Sequence, residues 1–99
     1  MTDPKVIAEK NDRLRRTLSG CRVVMTAGVD SYDQQAILSA VRAFNHFTPD
    51  NDPHGEHDFG SLDINGTKYF WKFDYYDSKF QFHQEDGHRV LTIMRADEY

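Results

Sequence analysis

The sequence predicts an α+β domain in which two helices pack on one face of an antiparallel sheet, in the order helix–strand–helix followed by a four-stranded meander. Three observations carry this. The apolar period is 3.6 up to about residue 47 and two beyond residue 58. Two turn dipeptides, Asn65-Gly66 and Asp86-Gly87, punctuate the second half. The 99-residue length, with 38% hydrophobic and 13% aromatic content, suits one domain (1–99) with one modest core.

Each element has local cause. Asp3-Pro4 reads as an N-cap followed by proline at the first helical position. Ile7, Leu14 and Leu18 then share a helical face with Val6 beside them, and Gly20 stops the helix. The basic stretch Lys10, Arg13, Arg15 and Arg16 is its expected solvated face. "CRVVMTAG" is a short β-branched run, a buried strand expected at a sheet edge, with Cys21 a small core residue at its start. Asp30 or Ser31 caps a second helix whose apolar positions are Tyr32, Ala36, Ile37, Ala40, Val41, Phe44 and Phe47, ended by Pro49.

Beyond the loop 48–57, "FGSLDI-NG-TKYFWKFDYY" alternates around Asn65-Gly66, Asp77-Ser78 offers the next turn, and "FQFHQE-DG-HRVLTIM" closes the meander. Two-residue turns fix the register, so that Tyr76 faces Lys79 and Glu85 faces His88. One face then carries Tyr75–Phe80–Ile93, Phe73–Phe82–Leu91, Trp71 opposite Gly60, and Leu62–Tyr69. That continuous apolar surface is expected to receive the helices. Asp63 falls opposite Lys68 as a favourable pair. The other face carries His57–Asp74–Gln81–Thr92, Phe59–Lys72–His83–Val90 and Ser61–Phe70–Glu85–His88.

Composition excludes several classes. No apolar run reaches the ~18 residues of a membrane span, and the N-terminus lacks the form of a secretory signal. A single cysteine forms no internal disulfide, so a reducing cytoplasm is the expected compartment. The net charge of −4 is uneven: residues 1–22 hold six Lys/Arg against three acids, and residues 23–99 six against thirteen. An acidic body disfavours nonspecific nucleic-acid binding, which needs cations opposite phosphates, and suits a basic protein partner or a bound cation.

"NDPHGEHDFG", residues 51–60, is the densest cluster of titratable groups. As a metal site it offers His54 and His57, with Asp74 and His83 as distant ligands, although no strong zinc signature is present. As acid–base chemistry it offers His57 oriented by Asp74. The greater weight falls on a loop folded by its own polar groups, with Asp50, Asn51 and Asp52 forming turns before Pro53. The run "YFWKFDYYDSKFQF" holds eight rings in fourteen residues, of which Phe70 and Tyr76 point outward with Phe59. Only Lys72 and Lys79 accompany them, so protein contacts fit better than stacked RNA.

"NDRLRRTL", "VVMTAGV", "NDPHGEHDFG", "WKFDYYD" and "RVLTIMRADEY" together resemble a family of small bacterial proteins known only as a domain of unknown function, over residues 10–99. Family members carry a longer insert between the last two strands, where "HQEDGH" stands here as a tight turn. The resemblance hands over no catalytic residues. It suggests a protein of plasmids or phages that acts on another macromolecule, such as an anti-CRISPR-like inhibitor of a host defence system.

The expected function is therefore non-catalytic binding or inhibition, exerted on another protein or a protein–nucleic-acid complex. The candidate surface is Asp50, Asp52, Glu56, His57, Asp58, Phe59, Phe70, Lys72, Asp74 and Tyr76. No cofactor is expected beyond the candidate divalent metal. Exposed strand edges leave room for a homodimer. The alternative is a small metal-dependent hydrolase or nuclease using the His/Glu/Asp cluster. An RNA-directed toxin ranks last, for want of a basic cleft.

Overall fold

The computed structural model describes residues 3–84 and 87–99. Helix α1 spans Pro4–Thr17, and the Asp3 carboxylate caps it by accepting from the Lys5 N–H at 2.9 Å. Leu18, with φ of 55°, closes it in the left-handed region, two residues ahead of the expected glycine. Its buried stripe is Ile7, Ala8, Asn11, Leu14 and Arg15, while Val6 is exposed. Strand β1 (Arg22–Met25) follows, then α2 (Gln34–Ala43), which buries Ile37 and Val41 completely. Tyr32, expected on the inner face of this helix, precedes it and is 94% exposed. Phe44 and Phe47 lie beyond the last turn, yet their rings meet Trp71 edge-on at 5.4 and 6.2 Å.

Strands β2 (Phe59–Ile64), β3 (Thr67–Tyr76) and β4 (His88–Arg95) complete a four-stranded sheet in the order β1-β4-β3-β2. The sheet is mixed rather than purely antiparallel, because β1 pairs with β4 in parallel, Arg22 against Val90 through Met25 against Ile93. The β2–β3 hairpin has the expected register, with Gly60 opposite Trp71 and Asp63 opposite Lys68. Asn65 and Gly66 take φ of 51° and 81°, the left-handed pair that a two-residue hairpin turn requires. Asn65 Nδ2 and the Tyr69 hydroxyl each donate at 2.8 Å to the buried Asp33 carboxylate, which pins the turn to the start of α2.

The third strand of the expected meander is not formed. Residues 77–84 fold as a loop whose only ladder contact among the described residues is a bridge from Tyr76 to His83, not Lys79. Asp77 Oδ1 accepts from the Lys79 and Gln81 N–H groups, and Phe80 takes φ of 56°, which curls the chain out of extended geometry. Phe82 is consequently 70% exposed instead of inward. The vacated edge of β3 is taken by β4, whose "VLTIM" run is more β-branched and more apolar than "KFQFHQ". The Asp86-Gly87 turn and the pairing of Glu85 with His88 lie outside the described residues.

The helices cover one face of this sheet. Its rows read Val23–Leu91–Phe73, then Met25–Ile93–Trp71–Gly60. Tyr69, Trp71, Phe73 and Tyr75 are the buried half of β3, as the alternation requires. Gly60 is sterically demanded: a Cβ there would overlap the Trp71 indole. The chain ends with a 3₁₀ turn, Ala96–Glu98, whose Glu98 carboxylate accepts from Thr26 Oγ1 at 2.7 Å and the Gly28 N–H at 2.9 Å. No helix among the described residues is long and apolar enough to cross a membrane.

Candidate functional site

Two surfaces draw on the candidate residues, and the first is a polar junction between α1 and the loop 48–58. Asn11 and Arg15 lie four apart on the buried stripe of α1, with Asp12 beside them at its edge. Arg15 is fully buried rather than solvated, because Ile7, Ala8, Leu14 and Arg15 share one helical face. Its guanidinium would be costly there without partners. It donates to Asp12 Oδ1 at 2.8 Å and to the Val41 carbonyl at 2.9 Å, and it lies 5.3 and 5.5 Å from the Trp71 and Phe47 rings.

His57 sits on the opposite side of Asp12. Its backbone takes φ of 55°, so the chain leaves β2 geometry before reaching Asp74. The expected His57–Asp74 pair does not form. His57 Nδ1 is instead 3.0 Å from both Asp12 oxygens, and Nε2 is 3.6 Å from Asp52 Oδ2. Asp52 Oδ1 also accepts from the His57 N–H at 3.1 Å, and the imidazole stacks flat on Phe47 at 3.8 Å. Asp74 pairs with Lys72 at 3.0 Å on the far face of the sheet.

A second strand of the junction runs inward through Tyr75. Arg89, buried beneath α1, donates from Nε to Asn11 Oδ1 at 2.9 Å. Asn11 Nδ2 donates at 3.0 Å to the Glu56 carbonyl and to the Tyr75 hydroxyl. That hydroxyl lies 3.3 Å from Glu56 Oε2 and 3.2 Å from Asp58 Oδ2, so one proton is shared between two carboxylates. Burial, with the two acids beside it, pushes the Tyr75 phenol far up and keeps it a donor. Burial also raises the Asp58 carboxyl, against the lowering effect of the tyrosine hydrogen bond.

The second surface is the sheet face that no helix covers. One cross-strand row reads Val24–Thr92–Lys72–Phe59, and its neighbours are Arg22–Val90–Asp74 and Met94–Phe70–Ser61. Phe59 and Phe70 meet at 5.2 Å, and Tyr99 closes over them at 6.0 and 5.6 Å. The result is a cluster of rings beside the Lys72–Asp74 pair, with Tyr76 half-buried at the end of β3.

The candidate residues thus divide. Asp52, Glu56, His57 and Asp58 meet at the junction; Phe59, Phe70, Lys72, Asp74 and Tyr76 share the open face; Asp50 and His54 are exposed on the loop. The metal set His54, His57, Asp74 and His83 is not assembled, and no group of three or more His, Cys, Asp or Glu among the described residues is placed to hold a metal ion. Sequence reading missed Asn11, Asp12 and Arg15, although polar residues in register with an apolar stripe were a visible signal. It also missed Tyr75 as a polar hub and Tyr99 as part of the ring cluster. Chemically, the junction fixes an imidazole between two carboxylates, but no hydroxyl or thiol among the described residues hydrogen-bonds that ring. Cys21 lies elsewhere, and burial pushes its thiol up, away from nucleophile chemistry.

A family model described as a protein of unknown function, DUF3768, matches residues 22–98. The match begins at β1 and leaves out α1, which supplies Asn11, Asp12 and Arg15 to the junction. None of the curated proteins and none of the solved structures compared with the chain matches it.

Proposed function

The chain belongs to the DUF3768 family of proteins of unknown function, and from that premise we propose that it is a binding protein without catalysis of its own, acting on another macromolecule through the open face of its sheet. The observation that carries this reading is the ring cluster Phe59–Phe70–Tyr99 beside the Lys72–Asp74 pair on a face no helix covers. Mutually packed rings next to solvated charges are the composition of protein contact surfaces. The loop serves as scaffold for that face. Its inner carboxylates are engaged with His57 and Tyr75, and the Asp58 carbonyl accepts from the Phe73 N–H at 2.8 Å, which sets the start of β2 beside β3. Exposed Asp50 lies at the outer side of the loop and adds negative charge suited to a basic partner.

The partner class is a protein, alone or within a protein–nucleic-acid complex. An inhibitor of a host defence complex, as the family resemblance suggests, is the instance to examine first. The metal-dependent hydrolase reading ranks lower, because its four ligands stand on three separate parts of the surface. The test is affinity capture from the native host with the wild-type chain and with a Phe59→Ser/Phe70→Ser variant of unchanged circular dichroism. A partner held by the first and lost by the second supports the reading. A partner held equally by both moves the working surface elsewhere, and metal-dependent turnover by the purified chain replaces the reading altogether. Light scattering of the free protein shows whether the same face pairs two copies.

A further inference from the structure

The order β1-β4-β3-β2 leaves β2 at the rim of the sheet, and no further strand among the described residues pairs with it. Its register shows which backbone groups face outward. The Asp58 carbonyl accepts from the Phe73 N–H at 2.8 Å, and opposed residues of an antiparallel ladder alternate between bonded and non-bonded pairs. Gly60, Leu62 and Ile64 therefore turn their N–H and C=O groups toward β3, and Phe59, Ser61 and Asp63 turn theirs away from it. The usual guards of such an edge are missing. "FGSLDI" contains no proline and no lysine, and its pairing with β3 runs from Phe59 through Ile64 without a bulge.

Side chains on the open face say what an added strand would carry. Three rows stop at this edge: Lys72–Phe59, Phe70–Ser61 and Lys68–Asp63. A fifth strand would extend each row by one side chain, at alternate positions of its own sequence. Phe59 belongs to the ring cluster with Phe70 and Tyr99, so the position facing it suits a large apolar residue. Asp63 is exposed and, among the described residues, joins no ion pair, so the position facing it suits Lys or Arg. The surroundings have the same sign: residues 43–67 hold Asp50, Asp52, Glu56, Asp58 and Asp63 and no Lys or Arg. That charge disfavours a second copy as the occupant, because β2 pairing with β2 about a two-fold axis sets two acidic segments side by side. The opposite edge, β1, has four residues and begins at the exposed Arg22, which repels a basic segment.

We infer that β2 is a docking edge for an extended, basic segment of a partner protein, added antiparallel to the sheet, with Lys or Arg against Asp63 and a large apolar residue four positions later against Phe59. It rests on the reading of the open face as the working surface. The probe is a pool of capped short peptides of that pattern, set against the same peptides with Glu in place of the cation. In the free chain, hydrogen exchange should be fast at the Phe59, Ser61 and Asp63 amides and slow at Gly60, Leu62 and Ile64. The basic peptides should slow the first three, bind about fivefold or more tighter than the Glu peptides, and lose that preference in Asp63→Lys. Asp63 is exposed, so this variant keeps its fold. Ser61→Pro removes one outward N–H and none that β3 uses, and it should abolish the protection. Peptides that bind without slowing the edge amides, binding indifferent to the charge at residue 63, or no binding by either pool would each overturn the inference. Edge amides already protected in a free chain of twice the mass would overturn it in favour of a second copy. A host partner lost by Phe59→Ser/Phe70→Ser but held by Asp63→Lys and Ser61→Pro would overturn strand addition alone and leave the open face in place.

Discussion

Arg15 and Trp71 show how a single side chain organises this domain. The indole fills the space between Phe44, Phe47 and Gly60, and the guanidinium lies 5.3 Å from it with Asp12 as counter-charge. Trp71→Ala is expected to cost about 3–5 kcal/mol, as for other large core aromatics, read as a fall in thermal midpoint. Asp12→Ala leaves a buried cation without its carboxylate and is expected to cost a similar ~3–5 kcal/mol; a loss below about 1 kcal/mol would place Arg15 in a far more solvated setting. Asp58 gives the opposite sign. Its carboxyl is raised by burial, so the folded state binds a proton more readily than the unfolded chain does. The contribution of this group to stability is therefore most favourable below the unfolded carboxyl pKa, and it is lost as pH rises through the raised folded value. Asp58→Asn, which keeps an acceptor for Tyr75, is expected to raise the thermal midpoint at neutral pH, with the gain disappearing in acid. An equal gain at both pH values would mean that titration is not the cause.

At the scale of elements, the junction between α1 and the loop is one unit built from two distant segments. Asp12 and His57 are separated by 45 positions and meet at 3.0 Å. A double-mutant cycle of Asp12→Asn and His57→Ala should return a coupling of about 1 kcal/mol or more, because His57 Nδ1 lies within hydrogen-bond distance of both Asp12 carboxylate oxygens; strict additivity would reduce the contact to coincidence of placement. The elements themselves were largely legible. Asp3-Pro4, Asn65-Gly66 and the alternation of Tyr69, Trp71, Phe73 and Tyr75 act through local sterics and local periods, which a sequence displays directly. What was not legible is long-range choice. Whether residues 79–84 or residues 88–95 would occupy the edge of β3 depends on which run buries more apolar surface against the helices, and Asp77 decided against the nearer one by bonding its own loop. The site failed in the same manner. Extending the hairpin register to His57 assumed extended backbone, and one residue at positive φ sent the imidazole to α1 instead of to Asp74.

The molecule as a whole has two unlike sides. The open face gathers rings and a solvated ion pair, and the helix-covered side buries Asn11, Arg15 and Arg89 among polar partners. These sides should respond independently: Phe70→Ser is expected to weaken capture of a macromolecular partner while leaving the amide resonances of Asn11, Asp12 and Glu56 at the junction in place. Crossed effects would show that the sheet couples them.

The strand order carries one more consequence. β4 lies between β1 and β3, although it comes last of the four in the chain, and its parallel partner β1 stands nearly seventy residues upstream, Arg22 against Val90. During synthesis, then, the β2–β3 hairpin and both helices leave the ribosome with the middle of their sheet missing. Until residue 95 emerges, the apolar edge of β3 has no neighbour and β1 has nothing to pair with. A released chain truncated after residue 87 should bind chaperones and yield readily to protease, and the chain that carries β4 should resist both. Closure of the ladder waits on β4 and draws together a long loop, and it is the slow step that this topology imposes.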